Sequence, residues 1–252
     1  MSNIKWIIVT APGGGVGQIL TNYLLDNGYG VIGMGRGSSI NFLKTLTSPN
    51  LHLIECDYTN ETSMVDAFKQ AKTLVDKIDG LVHLVGGSLI TKSFLDIDLD
   101  SFNEVISVNT NSTLLAGREA AKWMKETGGG NIVFFGSTTG IEPSKGKLAY
   151  GVAKAAVHNM TLSFALEGSQ YNILTNTIAP SYVLTQRHID EIEIKAEKKG
   201  ITVDEVMKQL GSKNPIGKVL KTEELMDTVI LLLTTKVIQG QTINVDLGQI
   251  GI

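Results

Sequence analysis

Seven short apolar runs, IKWIIVT, YGVIGMG, LHLIEC, GLVHLVG, NIVFFG, NILTNTIA and TINV, recur along the 252 residues with helix-length segments between them. Continuous apolar runs of this length suit strands buried on both faces, which a parallel sheet covered by helices provides. Right-handed crossovers then make the sheet doubly wound. The expectation is an α/β fold, a single Rossmann-type domain over residues 1–252 with a seven-stranded parallel sheet, because no linker-like run interrupts the chain.

Charge and composition narrow the function classes. A net charge of −3 and a pI near 5.8 supply no basic surface for nucleic acid or an anionic membrane, so neither is expected as a partner. The apolar run from Trp6 to Val9 is too short for a signal peptide, and nothing approaches the ~20 apolar residues of a membrane span. The single cysteine, Cys56, cannot close an internal disulfide. A cytoplasmic location is expected.

The stretch TAPGGGVG, Thr10 to Gly17, joins the first strand to a helix. Glycines there let the backbone approach a pyrophosphate, and the helix N-terminus presents free N–H groups and a favourable dipole. The loop does not fit G-x-G-x-x-G, because Gln18 and Leu20 stand where the last glycine is required. Ala11 precedes Pro12, which biases it toward extended backbone, so any positive φ is expected at Gly13 and Gly14. At the end of the second strand, the position that offers an acid to the ribose 2′-hydroxyl of NAD is Gly35, and the next residue is Arg36, one of three arginines. That pair favours NADP(H). Ser38 and Ser39 can add hydroxyls to the 2′-phosphate or cap the following helix.

Tyr150 and Lys154 lie four apart in AYGVAKAAV and share a helix face. A cation about 4 Å from a phenol, at an effective dielectric of ~20, offers about 4 kcal/mol, roughly three pKa units toward neutrality. Ser137 ends the run NIVFFG, at the carboxyl end of a strand where open α/β sheets bind ligands. A Tyr-x-x-x-Lys pair alone is as often a solvated helix face. Its order and spacing with the glycine loop, with Asn109 in ISVNTNS and with Ser137 set this one apart.

Taken together, these residues resemble the short-chain dehydrogenase/reductase family nearly end to end, through the QTINVDLG tail, and within it 3-oxoacyl-thioester reductase-like members. The resemblance implies strand order 3-2-1-4-5-6-7 and Asn109, Ser137, Tyr150 and Lys154 as catalytic residues. It implies cofactor contacts from Thr10, Gly13, Gly15, Val16, Gly17, Arg36, Ser38, Asp57, Tyr58, Gly86, Asn109, Tyr150, Lys154, Pro180, Val183 and Thr185, with Asp57 near the adenine and no metal. It also implies a substrate lid at about residues 181–216 and a homotetramer that pairs two helices containing Ala120, Ala121, Ala155 and Ala156. In the lid, Ile189, Ile192, Ile194, Val206, Met207 and Leu210 are expected to face inward.

The chain departs from the family pattern at Ala11, at His83-Leu84, where His83 is expected to be structural, at Ser181 and at Leu247. The implied function is an NADPH-dependent carbonyl reductase acting on a small ketone or 3-oxoacyl substrate. The alternatives are an NAD-linked dehydrogenase of a secondary alcohol, such as a sugar alcohol or hydroxysteroid, and a non-catalytic nucleotide-sensing protein of the same fold.

Overall fold

The computed structural model describes residues 4–41 and 43–250, without the side chain of Ser38. Seven strands, β1 (Trp6–Thr10), β2 (Gly30–Gly35), β3 (Leu51–Glu55), β4 (Gly80–His83), β5 (Gly130–Phe135), β6 (Ile173–Pro180) and the last strand, Thr242–Val245, form one sheet. Every pairing is parallel, and the order is 3-2-1-4-5-6 followed by the C-terminal strand. Helices α1 (Gly15–Asp26) and α2 (Gly37–Asn41) follow β1 and β2, and α3 (Glu61–Lys72) follows β3. Helix α4 (Leu99–Ile106) runs through a π-helical turn, Ser107–Asn111, into α5 (Ser112–Thr127). The long α6 (Leu148–Gly168) precedes β6.

The sheet is buried on both faces, as its apolar runs require. One core cluster includes Ile8, Ile32, Leu81, Ile132, Phe134 and Trp123, and the other includes Ile7, Val9, Val31, Val82, Val133 and Ile178. Consecutive residues of one strand thus serve opposite layers, which is how a continuous apolar run satisfies a two-sided sheet.

Between β6 and the last strand the chain forms a small second sheet, β7 (Val183–Leu184) with β8 (Leu220–Lys221), absent from the sequence expectation because two-residue strands leave no periodic signal. Helices α7 (Gln186–Lys199) and α8 (Val203–Gly211), in the segment where a lid is expected, lie between its two strands in the chain and pack on each other. A reciprocal Thr202–Glu205 capping box starts α8. Ile192 and Val206 are buried, with Ala196 between them, while Met207 and Leu210 pack against them. Ile194 does not face inward: it is 51% exposed. Two residues beyond Ile192, it has turned by about 200° on the helix, onto the opposite face.

The first-strand turn also corrects the sequence reading. The left-handed residue is Ala11 itself, φ 50°, and neither Gly13 nor Gly14 has positive φ. The Ala11 N–H donates to the Met34 carbonyl at 2.9 Å, and its own carbonyl accepts from Gly14 N–H at 3.0 Å. A Cβ at Gly17 would lie 2.2 Å from that carbonyl oxygen. The reversal from strand to helix therefore has to occur directly after β1, and the two-sided hydrogen bonding of Ala11 outweighs the ~1–2 kcal/mol that a left-handed alanine costs.

Helix α9 (Met226–Thr234) is tied to the sheet by Asn131 of β5. Its buried Nδ2 donates to the carbonyls of Leu232 at 2.9 Å and Thr235 at 3.0 Å, satisfying the helix C-terminus. Asn131→Leu strands both carbonyls and is expected to lower unfolding free energy by about 2–4 kcal/mol, read from urea denaturation midpoints.

Candidate active site

The carboxyl ends of β1, β2 and β4 to β6 lie along one edge of the parallel sheet. At β1, Gly14 caps α1 without any side-chain hydrogen bond, and no acidic residue occupies the first turn. Among the described residues, the N–H groups of Gly15, Val16 and Gly17 have no backbone or side-chain acceptor, so this helix N-terminus is an open anion site. Close packing around it demands glycine: a Cβ at Gly15 would meet Thr185 Cβ at 2.6 Å, and one at Gly13 would meet the Ser39 carbonyl oxygen at 1.9 Å. A pyrophosphate fits this cradle.

Thr10 supports the cradle from below. It is fully buried, its hydroxyl accepting from Leu84 N–H at 3.0 Å and contacting His83 Nδ1 at 3.1 Å. His83 in turn reaches Ser112 Oγ at 3.1 Å. This chain of three side chains ties β1, β4 and α5 together, the structural role expected of His83. Burial and the nearby Lys154 cation lower its pKa to about 3.

At the adenosine end, Arg36 donates to Asp57 Oδ1 at 2.9 Å, and both side chains are about half exposed. Hydrogen bonds from Thr59 and then from Arg36 hold the Asp57 carboxyl below its usual range. Tyr58 lies beneath them, its hydroxyl donating to Met34 O at 3.2 Å. A Cβ at Gly35 would meet that hydroxyl at 2.9 Å and Ser39 Oγ at 3.1 Å, so a side chain there would have to displace both. Ser39 Oγ accepts from Gly13 N–H at 3.1 Å and so braces the glycine loop. The side chain of Ser38 lies outside the described residues.

Over β4 and β5 stand the four expected catalytic residues. Asn109 sits in the π-helical turn, fully buried; its Nδ2 donates to Gly87 O at 3.0 Å and Val105 O at 2.9 Å, and its Oδ1 accepts from Gly87 N–H at 3.0 Å. It clamps the chain after β4. Gly86, φ 151°, is forced by its neighbours: a Cβ there would lie 2.6 Å from Asn109 Oδ1 and 2.7 Å from Lys154 Nζ. Ser137 Oγ accepts from Thr139 N–H at 3.1 Å, and its side chain is near enough to Tyr150 to favour the ionised phenol. Lys154, 3% exposed, donates to the Phe135 carbonyl at 2.7 Å, and its ammonium lies 5.8 Å from the Tyr150 ring centroid.

These contacts revise the electrostatic expectation. Burial lowers the Lys154 pKa to about 8. Burial raises the Tyr150 pKa, and Ser137 opposes that rise. The Lys154 ammonium donates to the Phe135 carbonyl, beside the Gly86–Asn109 corner, and lies over the Tyr150 ring at 5.8 Å.

Of the remaining expected cofactor residues, Pro180 ends β6, Val183 opens β7 and Thr185 caps α7 against Gly15, all at or just after the carboxyl end of β6. His158 was not anticipated. Its Nε2 accepts from Ser137 N–H at 3.4 Å, in space that a Cβ at Gly136 would fill at 2.2 Å. The only sequence signal for it is its position one turn after Lys154, on the face shared with Tyr150.

Residues 5–194 match the family model described as short chain dehydrogenase, and the chain belongs to that family of oxidoreductases, whose members use nicotinamide cofactors. It is 27% identical to an uncharacterized oxidoreductase of Staphylococcus aureus over 183 residues, 72% of this chain and 79% of the relative. It is likewise 27% identical to the 3-oxoacyl-acyl-carrier-protein reductase of Aquifex aeolicus over 253 residues, 97% of this chain and 96% of that one. A short chain dehydrogenase family structure from Francisella tularensis superposes with TM-score 0.85 at 28% identity, covering 98% of this chain and 99% of that one. No helix among the described residues is long and apolar enough to cross a membrane.

The buried His83 makes stability pH-dependent with a definite sign. Its folded pKa, about 3, lies below the 6.5 of an unperturbed histidine, so the unfolded chain takes up the proton first. The stability is fully present above about pH 6.5 and is lost as pH falls toward 3. Between pH 6.5 and 4, His83→Asn is expected to flatten the decline by up to one proton, about 1.4 kcal/mol per pH unit, in chemical denaturation at stepped pH.

Proposed function

We propose that this protein is an NADPH-dependent carbonyl reductase acting on a ketone or 3-oxoacyl-type substrate. The observation that carries the reading is the grouping of Ser137, just beyond the carboxyl end of β5, with Tyr150 and the buried Lys154 on successive turns of α6. The Lys154 ammonium lies 5.8 Å from the Tyr150 ring centroid and is bonded to the Phe135 carbonyl. When bound, the reduced nicotinamide supplies a hydride to the carbonyl carbon. Tyr150 gives its phenolic proton to the developing alkoxide, and Ser137 hydrogen-bonds the same oxygen. Lys154 holds a positive charge beside them, and Asn109 keeps the Gly86–Gly87 backbone in place against that charge. The Aquifex aeolicus relative, named for 3-oxoacyl reduction, supports the substrate class.

The preference for NADP(H) rests on Arg36 and on the absence of an acid at Gly35. Arg36 engages Asp57 through one terminal nitrogen, leaving the rest of its fork for a 2′-phosphate. The proposal includes a cytoplasmic homotetramer. Exposed Leu114 of α5 lines a groove of about 480 Å³ with Ala121, Met160 and Phe164, rimmed by Arg118, Lys122 and Glu167, and Leu162 and Leu166 are exposed elsewhere on α6, surfaces suited to a second copy. Of the small residues expected at that contact, Ala155 is exposed, whereas Ala120 is fully buried within the subunit and takes no part.

Tyr150→Phe is expected to reduce turnover by about 10²–10⁴ while NADPH affinity stays nearly unchanged. NADPH oxidation with a panel of ketones and oxoacyl thioesters measures it, and a loss below tenfold would refute the acid role. Arg36→Ala is expected to weaken NADPH by about ten- to a hundredfold and NADH hardly at all, by fluorescence titration. Equal weakening of both cofactors would mean that Arg36 positions the loop and does not read the phosphate.

A further inference from the structure

Lys147 is the residue that caps α6, one turn before Tyr150. Its Nζ donates to Ser88 Oγ and to Thr91 Oγ1, each at 2.6 Å. Both hydroxyls belong to the irregular segment that follows β4. That segment is fastened to the approach to α6 a second time, by Lys92 N–H donating to Gly146 O at 3.1 Å. Leu89, between the two hydroxyl residues, holds a left-handed backbone, φ 52°, which brings Ser88 and Thr91 to one ammonium.

The charge balance at this corner is incomplete. Among the described residues no carboxylate forms an ion pair with Lys147, although Lys92, Lys122 and Lys218 each find one. The charged groups that face it come from helix α7: Glu191 and Arg187, themselves paired at 3.6 Å, pull in opposite directions. Partial burial is the largest influence on Lys147 and lowers its pKa. A half-buried ammonium solvated by two neutral hydroxyls is a site that an incoming anion improves: the Thr91 hydroxyl can turn its proton to the same anion, while Ser88 Oγ, which donates to the Ile90 carbonyl at 3.1 Å, stays in place and holds the ammonium. Lys147 precedes Tyr150 by three positions at the start of the same helix, so an anion on its ammonium and a carbonyl at Tyr150 would belong to the same short substrate.

We propose that Lys147, held by Ser88 and joined by the Thr91 hydroxyl, seats an anionic group of the substrate, a carboxylate or a phosphate on the same short molecule as the carbonyl that Tyr150 protonates. This rests on the carbonyl reductase reading and narrows it, from ketones in general to oxo acids or phosphorylated ketones. Lys147 then selects the substrate and takes no part in proton transfer.

The test compares two pairs of ligands that differ in charge: acetoacetate with methyl acetoacetate, and dihydroxyacetone phosphate with dihydroxyacetone. Calorimetric titration into the enzyme saturated with NADP⁺ gives Kd without turnover. In the parent protein at least one anion is expected to bind about 10- to 100-fold more tightly than its neutral partner, and the pair that shows it distinguishes carboxylate from phosphate. Lys147→Met and Lys147→Gln should abolish the preference, Lys147→Arg should retain most of it, and Lys145→Met, which removes an exposed neighbouring charge, should leave it unchanged. No preference in the parent, or one that survives in a folded Lys147→Met or Lys147→Gln protein, overturns the proposal. NADPH oxidation with the same compounds separates the two readings. Lys147-dependent anion binding with no turnover of any ketone would remove the reductase reading and keep the anion site, whereas turnover of neutral and anionic ketones alike would do the reverse.

Discussion

A single ammonium inside the protein organises the site. Lys154 is 3% exposed, and a cation so removed from water is tolerated only where oxygens replace its hydration. The Phe135 carbonyl supplies one of these, at the point where β5 ends and its last carbonyl is released from the sheet. Asn109 Oδ1 and the bare Cα of Gly86 crowd the same corner so closely that any side chain at 86 would collide with the ammonium. The π-helical turn follows from this arrangement: one extra residue in the helical ladder directs Asn109 at Gly87, in keeping with the frequent appearance of such turns at functional sites. Burial also leaves Lys154 with a pKa of about 8, so its charge is one of the more easily modulated in the molecule.

A second constraint is steric. The cradle at α1 is closed on two sides by residues distant in sequence, Ser39 over Gly13 and Thr185 over Gly15, each occupying the space a Cβ would need. Thr185, the residue before α7, therefore packs directly on the glycine-rich turn before α1. The same Thr185 hydroxyl contacts His188, whose Nδ1 also bonds the Val183 carbonyl at 2.7 Å, so the first turn of α7 is locked to the small β7–β8 sheet beneath it.

Much of this was legible in the chain itself. The seven apolar runs located seven strands to within two or three residues, because burial on both faces keeps most of their positions apolar. The spacing of Tyr150 and Lys154 placed them on one helix face, and the run before Ser137 placed that serine at a strand terminus. Ala11 was misread because the local bias of a residue before proline was overruled by hydrogen bonds to β2, a partner that only the sheet brings near. Ile194 was misread for a smaller reason: it was counted as apolar without following its rotation about the helix.

The chain by itself thus determined the element order, the parallel sheet and the inventory of chemical groups, since strand and helix periodicities are local and a glycine-rich turn after a strand is a local signal as well. Only the tertiary structure decided what each group faces. Lys154 meets the Phe135 carbonyl, Ser137 meets both Tyr150 and His158, Arg36 meets Asp57, and Lys147 meets two hydroxyls 59 and 56 positions away. Those pairings join segments whose separation is set by how the strands stack and the helices cross, and no periodicity within either segment specifies its distant partner.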